Sequence, residues 1–165
     1  MQSFKITSVK NFMSHLLMKS TFDNFLLNEA SVTTFNTFTI DGTIRKDFYS
    51  SEELAELPDT SYSFWSQIKP FCYEIIKGKK TPSAFRFILA LDRTATASLV
   101  ENSGVSLQPS DINGLFLNIK YEQGILTCVT GTSLKIFSLD KSLDQLFDTY
   151  IQNFFAANGI DFDIC

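Results

Sequence analysis

The 165-residue chain has one histidine, one tryptophan, three cysteines and four prolines. A single His excludes a multi-histidine metal site and most histidine relays. Cys72, Cys128 and Cys165 are odd in number and far apart, with no CxxC pair and no metal-ligand spacing. They read as free thiols of a reducing cytoplasm. Long apolar runs are also missing. The densest, Ala84 to Leu91, contains Arg86 and is far too short to span a bilayer. The start, MQSFKITSVKNF, has no basic segment leading into an apolar one, so no signal peptide is expected. These absences together predict a cytoplasmic protein without a membrane partner. Basic residues are outnumbered, 14 to 18, giving a net charge of −4. Binding to nucleic acid through total charge is thereby disfavoured, and only local basic patches remain.

The chain is rich in phenylalanine: 17 Phe against 5 Tyr. Phe has no polar tip, so it belongs where water is excluded. Hydrophobic residues at 44% and charged residues at 19% make an ordinary folded composition, and the length suits about one domain.

Periodicity assigns elements along the chain. SFKIT alternates as a short strand, and Ser8 caps a helix with Val9, Phe12, Met13, Leu16 and Leu17 on one stripe. Asn24 to Ile40 is rich in Thr and Phe and reads as strand, interrupted at Asn28 to Ser31. Asp41-Gly42 signals a hairpin turn into a third strand, Thr43 to Tyr49. Ser50 and Glu53 form a capping box. A helix at about 62–77 carries Phe64, Trp65, Ile68, Phe71, Cys72, Ile75 and Ile76, with Pro70 predicting a kink or restart and Gly78 a stop. A strand follows with Phe85, Phe87, Leu89 and Leu91 alternating, then a helix capped by Asp92. Strands are expected over Leu115–Tyr121, Ile125–Thr130 and Leu134–Leu139. The last helix runs from Leu143 to Phe155, stopped by Asn158-Gly159, before a short acidic tail.

The second half thus repeats the first in pattern. TIDGTIRKDFYSSEEL and TGTSLKIFSLDKSLDQL share a turn, a strand and a capped helix in one order. The expected fold class is α+β: a duplicated β-α-β-β-β-α unit forming an antiparallel sheet with helices on one face. One pseudo-symmetric domain over 1–165 is expected, with halves at about 1–60 and 83–158 and an inserted helix at about 62–77. Each half alone would bury too little surface to stand independently.

NFLLNEASVTTFNTFTIDG, IKPFCYEIIKGKKTP and TGTSLKIFSLDKSLD resemble an uncharacterised family found in Firmicutes, over nearly the whole chain. That resemblance implies no activity. GLFLNIKYEQGILTCVTGTSLKI resembles the paired strands of a DNA sliding-clamp domain, itself two β-α-β-β-β units. The TATA-binding protein fold is also similar in its duplicated order, with an extra strand per repeat and a stronger basic character. Neither resemblance transfers functional residues. In clamps the first helices face DNA through basic side chains. Here they offer Lys10, Lys19 and His15, then only Arg93 beside Glu101. Likeness of fold is not evidence of function.

A basic cluster, Lys69, Lys77, Lys79, Lys80 and Arg86, suits phosphate contact; a solvated helix end is the plainer reading. Gly78-Lys79-Lys80-Thr81 fails the P-loop pattern, because Tyr73 occupies the first glycine position and Lys80 replaces the Ser or Thr. Glu52, Glu53 and Glu56 with Asp47 and Asp59 lack calcium-loop spacing and fit a helix start. Asp140, Asp144 and Asp148 share one helix face and read as solvated. His15 falls opposite its helix's apolar stripe and is expected exposed. Thr132 and Ser133 lack a GxSxG elbow. No catalytic, cofactor or metal residues are predicted, and no cofactor.

Two functions remain open. One is a non-enzymatic binding or assembly module, clamp-like and DNA-associated, with nucleic-acid or anion contacts at Lys10, Lys19, Lys77, Lys79, Lys80, Arg86 and Arg93. Self-association or a protein partner goes with it. The other is a small-molecule binding protein or an unrecognised enzyme, with Phe35, Phe38, Phe64, Trp65 and Phe71 lining an apolar pocket or interface.

Overall fold

Alternating apolar residues build strands, and capped 3.6-residue stripes build helices to cover them. The computed structural model describes all residues, Met1–Cys165. In chain order the elements are β1 (Ser3–Ile6), α1 (Val9–Leu17), β2 (Leu26–Thr33), β3 (Thr37–Asp41), α2 (Ser51–Glu56), α3 (Trp65–Ile76), β4 (Ala84–Ala90), α4 (Arg93–Glu101), β5 (Ile112–Glu122), β6 (Ile125–Leu134), α5 (Ser142–Ala157) and β7 (Phe162–Ile164). The strands form one antiparallel sheet in the order β3-β2-β4-β5-β6-β1-β7. The α+β class and the antiparallel sheet are as expected.

Strand register separates the two faces of the sheet. Ala30, Phe87, Ile119, Cys128 and Phe4 lie side by side on one face, flanked by the rows of Leu27, Leu89 and Leu117 and of Val32, Phe85 and Leu126. These residues join Phe12 and Leu16 of α1, Trp65 and Cys72 of α3, Val100 of α4 and Phe147, Ile151 and Phe155 of α5 in one core of 27 buried residues. Edge-to-face aromatic contacts run through it, from Phe4 to Phe155 and Phe12 and from Trp65 to Phe87. The helices that bury side chains therefore lie on one face.

Local signals set three of the helix starts. Ser8 and Asp92 cap α1 and α4, accepting from the Asn11 and Ala95 amides. Ser50 and Glu53 form the expected capping box of α2.

The structure corrects several expectations. The third strand of each half is absent. Thr43–Tyr49 holds a lone bridge from Thr43 to Tyr62 and a short 3-10 turn at Lys46–Phe48. Pairing of β6 with β5 ends at Leu134 opposite Ile112, so Leu134–Leu139 has no ladder to continue; Ile136, Phe137 and Leu139 are exposed. Each half therefore reads β-α-β-β before its next helix. The halves also take different sheet positions: β4 pairs with its own β5, whereas β1 pairs with β6 of the other half.

The hairpin from β2 to β3 turns at 34–36, not at Asp41-Gly42. Gly42 instead permits a close approach: a Cβ there would lie 1.8 Å from the Leu27 carbonyl oxygen. The Asn28–Ser31 interruption is a bulge between Leu27 and Glu29 in a continuous strand. Pro70 lies within α3, which does not restart. The acidic tail contributes β7, paired with β1.

Candidate functional site

On the opposite face of the sheet, β4 presents Ala84, Arg86 and Ile88 between core residues. Arg86 stands in a row with Ser31, Lys120, Thr127 and Lys5 on neighbouring strands. Strands lie about 4.8 Å apart, so Arg86 to Lys5 covers roughly 14 Å. Lys5, Arg86 and Lys120 are exposed. The next row toward the end of β4 holds Glu29, Ile88, Asn118, Val129 and Ser3. The row after it holds Leu26, Ala90, Phe116 and Gly131. Of these apolar residues, none belongs to the helix-side core. The Phe116 ring lies against Gly114, where a Cβ would meet it at 2.5 Å, so Gly114 makes room for the ring.

Each end of β4 opens on a hollow. Before the strand, Thr34, Phe35, Ile75, Lys77, Gly78, Lys79, Lys80, Thr81 and Ser83 surround about 480 Å³. Beyond it lie two adjoining hollows of about 470 and 410 Å³ that share Leu91, Arg93, Asn113 and Gly114. Lys135, Thr96 and Ser110 line the first; Lys46, Asp59, Tyr62 and Phe116 line the second. β4 itself spans about 20 Å.

Ion pairing grades these cations. Arg93 reaches Asp59 at 3.4 Å, Lys120 reaches Glu122 at 2.9 Å and Lys77 reaches Glu74 at 2.6 Å. The hydrogen bond that Lys77 donates to the Glu74 carboxylate raises the Lys77 pKa and keeps its ammonium charged. Lys5, Lys46, Lys79, Lys80, Arg86 and Lys135 make no ion pair. Acids on the open face are Glu29 on β2, beside β4 and one row from Arg86, Asp41 on the β3 edge, Glu122 at the β5–β6 hairpin and Asp163 opposite Lys5 on β7.

Of the seven cations read from the sequence, Lys77, Lys79, Lys80, Arg86 and Arg93 fall along β4 and its two ends. Lys10 and Lys19 belong to α1 and the turn after it, on the helix side. The sequence reading missed Lys5 and Lys120. Their signal was available, since each lies between residues of the core face: Phe4-Lys5-Ile6 and Ile119-Lys120-Tyr121. It also missed Lys46 and Lys135, which sit in segments read as strand.

The five residues read as an apolar pocket are dispersed. Trp65 is fully buried and donates from Nε1 to the Leu16 carbonyl at 2.7 Å. Phe64 is half-buried at the start of α3, and Phe71 is 64% exposed on the same helix. Phe35, 86% exposed, packs edge-to-face on half-buried Phe38 at the hairpin.

Other polar groups serve the fold. His15 is buried, contrary to expectation, and its Nδ1 shares a hydrogen bond of 2.7 Å with Thr21 Oγ1. Burial, and secondarily Lys19, lowers its pKa. Asp144 and Asp148 do not form a solvated face; they accept hydrogen bonds from Thr132 and Thr130 of β6. Asp140 accepts from the Ser142 amide, which lowers its pKa. Burial raises the Cys72 thiol to about 12 and pushes Cys128 up as well, leaving both unreactive.

A family model described as a family of unknown function, DUF5721, matches residues 15–163. The chain belongs to that family. The ATP-dependent RNA helicase DeaD of Buchnera aphidicola subsp. Baizongia pistaciae is 27% identical over 118 residues. The match covers 72% of this chain but 18% of the helicase. No solved structure matches the DUF5721 chain. No helix is long and apolar enough to cross a membrane.

Proposed function

We propose that the chain is a non-enzymatic binding module that receives a single nucleic-acid strand on the open face of its sheet. The observation that supports this is alignment. Cations scattered from Lys79 to Arg93 in sequence lie along one strand and its ends, with Lys120 beside its midpoint and Lys5 farther along the same row. A phosphate backbone needs such a line, because each cation that neutralises a phosphate releases a counterion. Phe116, half-buried beside the Arg93 cleft, offers a ring on which a base can stack. Asp59 and Glu122 are paired with Arg93 and Lys120, which leaves Lys79, Lys80 and Arg86 as the unpaired cations along β4 and its start. An RNA helicase, 18% of which is matched by this chain, agrees in partner class.

Fluorescence anisotropy with labelled single strands of DNA and RNA tests the proposal. Binding should weaken with salt, with a log–log slope of about −0.7 per phosphate neutralised. Charge reversal of Arg86 together with Lys120 should weaken it about tenfold or more. Reversal of Lys10 with Lys19 should leave it unchanged. Absence of binding at low salt sinks the proposal, as does equal weakening by the α1 pair.

A further inference from the structure

We infer that the free edge of β3 pairs with β3 of a second copy of this chain, joining two sheets about a twofold axis at Thr39. This inference is independent of the nucleic-acid reading. β3 ends the sheet, with β2 as its sole strand neighbour.

Two hydrogen bonds fix which backbone groups face outward. The Gly42 amide donates to the Asn28 carbonyl at 3.0 Å, and the Thr34 amide donates to the Asn36 carbonyl at 2.9 Å. Antiparallel pairs alternate between bonded and non-bonded. Counting inward from both ends, Ala30 with Ile40 and Val32 with Phe38 are the bonded pairs. Thr37, Thr39 and Asp41 are therefore non-bonded toward β2, and their amides and carbonyls point to the free edge.

An antiparallel twofold partner must use those same three residues. Centring the axis on Thr39 sets Thr39 against Thr39 and Thr37 against Asp41, with Phe38 against Ile40 between them. Apolar residues then meet on the helix-side face, and hydroxyls meet hydroxyl or carboxylate on the open face. No like charges oppose each other. Asp41 is the edge's only charge and is held by Arg45 at 2.7 Å. The edge lacks Lys, Pro and bulges, the usual devices against such pairing. Phe35, just beyond the strand, supplies exposed apolar area to the same contact. Five residues per copy bury less than a standard interface, so the association is weak.

Sedimentation of the full chain from about 1 to about 200 μM reads the equilibrium at affinities near micromolar. The wild type should pass from monomer to dimer. Thr39→Lys, whose side chain lies on the exposed face, places like charges at the axis and should weaken association about tenfold or more. Thr39→Glu should do the same. An equimolar mixture of the two should dimerise again, which a merely misfolded variant would not do. Hydrogen exchange should show Thr37, Thr39 and Asp41 amides protected only as concentration rises. A wild type that stays monomeric, a dimer indifferent to Thr39→Lys, or protection already complete in the monomer overturns the inference. The last result would mean that another part of the same chain covers the edge.

Discussion

The two faces of the sheet share every backbone hydrogen bond yet differ in everything else. Along β4, Phe85, Phe87 and Leu89 are at most 5% exposed, while Arg86 between them is exposed and Ile88 is half-buried. The difference comes from the helices. α1, α3, α4 and α5 each carry buried residues, and all of these pack on the Phe87 side; α2 buries none. Phenylalanine follows the same division. Phe4, Phe38, Phe85, Phe87 and Phe162 lie on the helix side of their strands, and Phe116 alone lies on the open side. A sheet with one apolar face and one mixed polar face is folded by the first and leaves the second for contact.

Neighbouring substitutions in β4 test this contrast most severely. Phe87→Ala removes a fully buried ring packed on Trp65 and should cost about 3–5 kcal/mol in chemical denaturation. Ile88→Ala, one residue on, should cost less than about 1.5 kcal/mol. Similar losses at both positions would mean that something also covers the open face.

A smaller effect is expected where polar groups tie the sheet to α5. Thr130 is 1% exposed; its Oγ1 contacts Asp148 and accepts from the Gln2 amide at 2.8 Å. Thr130→Val keeps the shape but strands both partners, and should cost about 1–3 kcal/mol. Neutral replacement would show that water satisfies these groups and that the covered face is wetter than its packing suggests.

His15 makes the covered side sensitive to pH. Its folded pKa lies below the ordinary 6.5, so the unfolded chain binds the proton more tightly. Stability should therefore fall as pH drops from about 6.5 toward the lowered folded value, and should be flat above that window from this group. His15→Gln should remove the slope in that range. A wild-type profile without it would place the imidazole in water.

Thiol accessibility gives the mildest test. Cys165 is exposed, whereas Cys72 and Cys128 are fully buried. A thiol reagent should modify one cysteine in the native protein and three after unfolding. Native reaction of Cys128 would expose the centre of the helix-covered face.

Much of this fold is legible in local sequence. The caps at Ser8, Ser50 and Asp92 and the alternation of β4 act through nearest neighbours, so they can be read directly. The failures share a cause. Thr43–Tyr49 and Leu134–Leu139 each follow a turn signal as a strand would, but a strand needs a partner, and no ladder was left for either. The Asp41-Gly42 signal is real chemistry put to another use, since Gly42 is required by the passing Leu27 carbonyl. His15 lies off the apolar stripe yet is buried because the turn through Thr21 folds against it.

For the candidate site, composition supplied the cations but not their arrangement. Local sequence determined which residues alternate, where helices begin and that phenylalanine would form a dry core, because each is decided within a few residues. Only the tertiary structure decided that Lys120 and Lys5 fall in one row with Arg86, that β3 ends the sheet and that Asp144 and Asp148 turn inward. Those relations depend on strand order and register, which join residues more than a hundred positions apart, and no local signal encodes them.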